Sequence, residues 1–289
     1  MPTIPIIRTV AELRAVLAER RRAGERIGFV PTMGALHAGH GSLVTAARRE
    51  HQCVVASIFV NPLQFGPNED LASYPRTPER DLALLAEHGC ALLFMPEVAE
   101  MYSAGSVTRL HQTGLTDVLC GRSRPGHFDG VLTVVLKLLL QVQPDTAFFG
   151  RKDFQQALVI RRMVRDLDVP VSIATCPIHR EADGLAMSSR NRYLSAEERA
   201  VAPELFAALR GVNDGFLRGE RRAATLVELG RVALARGSRW GIDYLEVCDP
   251  ETLEERGAEA RAGDLVAVAA KLGPARLIDN LLLGENVPA

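Results

Sequence analysis

The sequence predicts an α/β fold: a parallel sheet with helices on both faces, followed by a smaller α+β C-terminal domain. Three observations predict it. Over the first two-thirds of the 289 residues, short β-branched and aromatic runs alternate with helix-like segments. That alternation is the pattern of βα units that build a parallel sheet. Beyond Leu194 the order changes to two helices and then three strand-like runs, as in a separate α+β unit. The polar motifs follow strands, where open α/β sheets bind their ligands. We divide the chain into domains 1–186 and 187–289.

The elements follow in order. A helix is predicted over 10–23 and a strand over 27–30, where Ile27, Phe29 and Val30 form an apolar run. A Gly-containing turn leads to a helix beginning near His40. A strand at 54–60 runs into a polar loop at 61–70. The next helix is well punctuated: Thr77 can cap it, Pro78 suits its first position and Gly89 can end it. A strand spans 91–95. Residues 131–143 are apolar nearly all round, so they predict a buried helix. Strand 147–149, helix 154–167 and strand 171–176 complete the first part. Ser195 and Glu198 form a capping box that opens a helix running to about 218. A helix at 223–235 and strands at 242–247, 264–270 and 276–283 follow.

Composition excludes several classes. The chain is 47% hydrophobic, enough for the cores of two domains. Its formal net charge is −1, which argues against a nucleic-acid partner. The densest basic run, Glu19-Arg20-Arg21-Arg22, reads as a solvated helix face. Five cysteines are scattered without a Cys-x-x-Cys pair, so no disulfide framework or zinc site is expected, and a reducing cytoplasm is. The longest apolar stretch, 131–140, contains Lys137 and is too short to span a bilayer, and residues 1–5 lack a signal-peptide layout. No membrane association is expected. Only Lys137, Lys152 and Lys271 of the 34 basic residues are lysine. Lys152 therefore stands out as a position that needs a compact ammonium rather than a planar fork.

Four segments carry chemistry. The first is PTMGALHAGH at 31–40. It places His37 and His40 three residues apart at a helix start, on one face. Free N–H groups and the helix dipole favour phosphate there, and imidazoles can donate to a phosphoryl group as its charge shifts. The second is Gly150-Arg151-Lys152-Asp153-Phe154-Gln155-Gln156. Its glycine allows close backbone approach, Lys152 can neutralise phosphate, Asp153 can accept from ribose hydroxyls, and Gln155 and Gln156 can read a polar substrate. The third, 183–191, reads as a mobile loop whose Ser188, Ser189 and Arg190 suit a polyphosphate leaving group. The fourth is Asn61-Pro62-Leu63-Gln64-Phe65. In isolation the first reads equally well as a tight turn with surface histidines, the second reads more readily as a helix cap with Asp153 as N-cap, the third as a polar linker and the fourth as a turn.

Together they are more specific. His37-Ala38-Gly39-His40 with Met187-Ser188-Ser189-Arg190 resembles the paired signatures of the nucleotidylyl-transferase superfamily, which has a Rossmann-like core. PTMGALHAGH, NPLQFGPNED, SRPGHF, FFGRKDFQQ and DGLAMSSRN, in this order, resemble the pantoate–β-alanine ligase family, over about 13–283. The resemblance implies an ATP-dependent ligase. Pantoate carboxylate would attack the α-phosphate of ATP, giving pantoyl adenylate and pyrophosphate. The amine of β-alanine would then displace AMP, giving pantothenate, the precursor of coenzyme A. Other adenylyl-forming enzymes on the same core, and a non-catalytic nucleotide sensor, are the alternatives.

Matched position by position, the resemblance implies roles. Met33, Gly34, Ala35, Leu36, His37, Ala38, Gly39 and His40 would contact ATP, with His40 the catalytic proton donor beside His37. Gly150, Arg151, Lys152 and Asp153 would bind nucleotide, with Lys152 on phosphate and Asp153 on ribose. His179 stands where a backbone group contacts adenine. Met187, Ser188, Ser189 and Arg190 would close over the triphosphate. Gln64, Gln156 and Asn61 would form the pantoate pocket, with Gln64 also at the β-alanine site. Lys152 and Arg190 join the histidines as catalytic candidates. Magnesium would arrive with ATP, with no dedicated protein metal site, and the family implies a homodimer. Three positions depart from the family pattern. Gly41 replaces a leucine and should weaken the first helical turn. His179 replaces a small apolar residue. Arg151 replaces Glu or Gln.

Overall fold

The computed structural model describes residues 4–67, 69–236 and 239–286, so Asn68 of the NPLQFGPNED motif lies outside the described residues. The chain forms two compact units and passes between them more than once. One comprises Met1–Thr113, Arg124–Arg151 and Gln156–Ile178; the other comprises Gly114–Ser123, Lys152–Gln155 and His179–Ala289. A single division at 186/187 treats 114–123 and 152–155 as part of the first domain, whereas they pack with the C-terminal residues.

The first unit is built on six parallel strands: β1 (Ile6–Ile7), β2 (Ile27–Thr32), β3 (Cys53–Ile58), β4 (Leu92–Phe94), β5 (Thr146–Gly150) and β6 (Ser172–Cys176). Among the described residues their order across the sheet is β1-β4-β3-β2-β5-β6. The helices are α1 (Val10–Arg22), α2 (Ala38–Glu50), α3 (Pro78–Glu87), the short α4 (Val98–Met101), α6 (His127–Val142) and most of α7 (Phe154–Asp166); α5 (Cys120–Ser123) belongs to the second unit. Val30, Leu36, Val44, Val54, Ala56, Leu85, Leu93 and Phe148 form one fully enclosed cluster. β2 pairs with β3 on one side and β5 on the other. The direction of strand succession therefore reverses at β2, which is where a doubly wound sheet opens a crevice at its carboxyl edge.

Several expectations shift in detail. α2 starts at Ala38 with His37 as its N-cap, two residues ahead of the expected start. α6 starts at His127 rather than 131, after Gly126 turns the chain at φ 79°. Thr77 does not cap α3 by its side chain; its hydroxyl donates to the Asp81 carboxylate at 2.9 Å instead. Arg21 is not simply solvated, because its guanidinium donates to the Val142 and Gln143 carbonyls at the end of α6 (2.6 and 2.7 Å).

The second unit carries α8 (Ala196–Val201), α9 (Glu204–Leu217), α10 (Ala223–Ala235) and an antiparallel sheet of β7 (Gly241–Cys248), β8 (Leu265–Leu272) and β9 (Ala275–Leu282). The helix expected over 195–218 is two helices. Pro203 has no N–H for the preceding turn and its ring crowds it, so the helix restarts at Glu204. The Ser195–Glu198 capping box is present. Leu205, Leu209, Val212, Leu226, Leu245, Val266, Val268 and Leu281 fill the core between helices and sheet. Among the described residues no helix is long and apolar enough to cross a membrane.

Candidate functional site

In the first unit the predicted residues gather at the carboxyl ends of β2 and β3. Beyond β2 the chain takes a left-handed step at Gly34 (φ 84°) and Ala35 (φ 51°). Gly34 also has Ile58 Cγ2 only 3.0 Å from where a Cβ would stand, so glycine is required twice over. Ala35 has a Cβ and pays for its conformation in steric strain. The turn is held by Asp81, 1% exposed, which accepts from Ala35 N (2.9 Å) and Leu36 N (2.8 Å). The chain then enters α2. His37 N donates to His40 Nδ1 (3.3 Å), and the two rings lie 4.1 Å apart, tilted at 42°. Both are half-buried. Ala38 and Gly39 form the first turn, closed by Ser42 Oγ donating to Gly39 O (2.8 Å).

Beyond β3, Asn61 caps the short 3-10 turn Pro62–Gln64. Asn61 Nδ2 donates to Gln64 Oε1 and to Gly130 O (both 3.0 Å). Gln64 Nε2 donates to Met33 Sδ (3.1 Å), which joins the β2 and β3 ends. Tyr102 OH donates to Asn61 Oδ1 (2.8 Å); burial pushes this hydroxyl up to about 12, so it is a proton donor throughout the neutral range. The Gln64 carbonyl accepts from His127 Nδ1 (2.8 Å) and Arg124 Nη2 (3.3 Å). Arg124 Nη1 donates to His127 Nε2 (2.9 Å), which fixes the proton on Nδ1. Arg124 also grips Glu69 with two bonds (2.7 and 2.6 Å).

Gly150 ends β5 and Arg151 follows it in the same unit. Gln156, half-buried near the start of α7, has no hydrogen-bond partner for its amide among the described residues. Gln155 is different. Its Oε1 accepts from Cys120 N (3.0 Å), and its Nε2 donates to the Leu115 and Val118 carbonyls (both 2.8 Å). That amide is used up in holding 115–120, so the expectation that it reads substrate is withdrawn.

The second unit holds the remaining predicted residues. Lys152 and Asp153 lie on a 3-10 turn, with Lys152 Nζ 3.9 Å from Asp153 Oδ2. The segment 179–187 is a small hairpin. Met187 N donates to His179 O (3.0 Å), Glu181 N donates to Leu185 O (2.8 Å), and Arg180 bridges Ala186. Ser188 caps the 3-10 turn Ser189–Tyr193 by accepting from Arg190 N (3.2 Å). The 183–191 loop, which reads as mobile in sequence, is tied down. Asn191 Nδ2 donates to Glu181 Oε1 and Ala186 O, while Arg199 binds both Glu181 and Asp183 (2.6 Å each).

Gly41 meets the His88 ring. A Cβ on Gly41 would stand 2.6 Å from His88 Cδ2 and closer still to Nε2. His88 Nδ1 bonds Thr45 Oγ1 (2.8 Å), so this ring fills the space beside α2 where a larger residue 41 would lie. Sequence reasoning missed Asp81, Tyr102, Arg124 and His127. The last two lay in plain view in SRPGHF, a motif used for the resemblance but given no role.

Comparison with known proteins narrows the chemistry. A family model described as pantoate-beta-alanine ligase matches residues 5–282. A pantothenate synthetase of Acidobacterium capsulatum is 53% identical, covering 97% of each chain. The crystal structure of a pantothenate synthetase from Thermus thermophilus is 51% identical, covers 97% of this chain and 99% of its own, and superposes with a TM-score of 0.92. A pantoate-beta-alanine ligase from Francisella tularensis, complexed with beta-gamma ATP and beta-alanine, is 32% identical over 98% of this chain and 99% of its own, with a TM-score of 0.81.

Proposed function

Since the chain belongs to the pantoate–β-alanine ligase family, we infer that it joins pantoate to β-alanine at the expense of ATP, yielding pantothenate. It is an ATP-dependent ligase. A carboxylate is a poor acyl donor, so the reaction runs in two steps. A pantoate carboxylate oxygen forms a bond to the α-phosphorus as the bond from that phosphorus to the bridging oxygen breaks, and pyrophosphate leaves. The β-alanine amine then attacks the acyl carbon, the acyl–oxygen bond breaks, AMP departs and the amine loses a proton. Such chemistry needs positioning and charge stabilisation above all.

The observation that carries this reading is the start of α2. Two imidazoles lie ring to ring, one at its N-cap and one in its first turn, at the positive end of the helix dipole, which favours phosphate. We assign His40, with His37, to the phosphates and to proton donation. The held 33–36 turn presents backbone to the nucleotide. Gln64, Asn61 and Gln156 are assigned to pantoate, whose carboxylate and hydroxyls suit amide groups. Gln64 already has its amide aimed by Asn61 and Met33. Gly150 to Asp153, His179 and Met187 to Arg190 are assigned to ATP, with Lys152 and Arg190 on phosphate. The nucleotide is taken as its magnesium complex, the triphosphate supplying the oxygen ligands this ion prefers. We expect a cytoplasmic homodimer, which light scattering of the purified chain tests for its oligomeric state.

Exchange of labelled pyrophosphate into ATP tests the assignment. It should require pantoate and proceed without β-alanine. His40→Ala should fold and lose about a hundredfold in exchange rate, the scale of one lost donor to developing charge. Exchange that ignores pantoate would favour another adenylyl-transferring reaction, and unaltered exchange in the folded variant would remove His40 from the site.

A further inference from the structure

Two adjacent residues of β9 carry no role in the proposed function, yet both are buried and both reach segments assigned to phosphate. Asp279 is 3% exposed and Asn280 is 2% exposed. Asn280 Nδ2 donates to the backbone carbonyl of Lys152 (2.9 Å). Asp279 takes both ends of the Arg180 guanidinium, at 2.6 Å from Nη1 and 2.9 Å from Nη2. Arg180 is itself clamped. Its guanidinium carbon lies 3.6 Å from the Phe206 ring centroid, and Nη1 also donates to Gly184 O (3.1 Å). Arg180 sits at the base of the 179–187 hairpin, paired with Ala186 immediately before Met187-Ser188-Ser189-Arg190. Asp279 Oδ1 further accepts from Asn280 N (2.8 Å), so the two brackets share one anchor on the strand. β9 is in turn registered residue by residue against β8, with Asp279 opposite Val268 and Asn280 opposite Ala267.

We propose that Asp279 and Asn280 are positioning residues that set the two phosphate-binding segments of the second unit from a single strand: Asn280 fixes Lys152 through its carbonyl, and Asp279 fixes the Ser188–Arg190 segment through Arg180. The proposal rests on the assignment of those segments to ATP. The chemical need is plain. A lysine ammonium on a flexible stem meets a phosphate well only if its backbone is held, because the stem's own freedom opposes a fixed contact. A bidentate guanidinium–carboxylate pair whose carboxylate is buried is the geometrically strict way to hold a hairpin base. Loss of the Asn280 bond leaves the Lys152 charge in place and removes only its aim.

The test uses the full-length enzyme. Wild type must first show pantoate-dependent pyrophosphate exchange; if it does not, the functional reading fails and the positioning proposal is not what was disproved. Given exchange, Asn280→Ala should raise the KM for ATP by about tenfold, the scale of one buried hydrogen bond, and leave the KM for pantoate within about twofold. Asn280→Ser is measured beside it as a smaller polar replacement, and loss of fold in both would overturn the proposal by making the role structural. The decisive reading is coupling. The loss of ATP affinity on Asn280→Ala, measured by calorimetry, should be several-fold smaller in a Lys152→Ala background than in wild type, since Asn280 acts chiefly by aiming Lys152. Asp279→Asn and Arg190→Ala should be non-additive in the same way. Fully additive losses, or equal shifts in the KM values of ATP and pantoate, would overturn it.

Discussion

Two backbone N–H groups, on Ala35 and Leu36, find the same carboxylate on α3, and a hydroxyl from Thr77 joins them there. The conformation they fix is one that a residue with a Cβ seldom adopts, as the φ of 51° at Ala35 shows. Asp81 thus sets the path of the chain into the histidine pair. Asp81→Ala should cost about 3 kcal/mol in a urea unfolding experiment, from the loss of two charge-assisted bonds to buried donors. It should also weaken ATP binding, since the 33–36 turn is then free to relax. A variant with unchanged stability would mean the turn holds itself. Asp81 was invisible in sequence because its partners lie 45 and 46 residues away. His37, His40 and Gln64 could be named as candidates because the histidines stand three apart at a helix start and the motifs PTMGALHAGH and NPLQFGPNED resemble those of the ligase family. Tyr102 was missed for the same reason as Asp81, since it meets Asn61 at a separation of 41 residues.

At the level of elements, periodicity and punctuation located most helices and strands to within a few residues, because an apolar stripe or a capping residue is a local signal. Failures came where a local signal was overridden or too short. Pro203 divides what capping and apolar spacing join, and α4 and α5 are single turns with no period to read. Gly41 is the instructive case. As a sequence it is a weak residue in the first turn of α2. In the structure it is the space that the His88 ring occupies, with Thr45 holding that ring in place. Two changes far apart in sequence are therefore one packing decision. Gly41→Ala should destabilise the protein by about 1–2 kcal/mol by overpacking. In a His88→Ala background the same change should become stabilising by up to about 1 kcal/mol, since only helix propensity then acts. Thermal unfolding of the four proteins of this cycle measures it, and an equal cost in both backgrounds would separate the glycine from the ring.

At the scale of the whole molecule, the sequence showed two bodies but not how the chain shares itself between them. The return of 114–123 and 152–155 to the second unit depends on contacts such as Gln155 with Leu115, Val118 and Cys120, which no composition shift announces. Each unit also carries acid-sensitive pairs. Burial by itself would raise the Glu69 carboxyl, but the hydrogen bond and charge of Arg124 outweigh it and hold the group below its ordinary value of 4.5. In the second unit the hydrogen bond from Arg199 holds Asp183 low, and the Glu251 N–H with its neighbours holds Asp249 low. A carboxyl whose folded value lies below its unfolded value binds its proton more weakly when folded. Its stabilisation is complete above the unfolded value and disappears as the pH falls through the folded one. Buried Asp279 runs the opposite way, because burial, against the pull of Arg180, raises it. A single substitution isolates one sign from the other. Glu69→Gln keeps the shape of the side chain and removes its charge. The Tm difference between wild type and this variant should be largest near neutral pH and should close as the pH falls below about 4.5, with both proteins losing the other low carboxyls in parallel. A gap that stays constant from pH 7 to 3 would mean that Glu69 holds Arg124, and through it the Gln64 carbonyl, by shape rather than by charge.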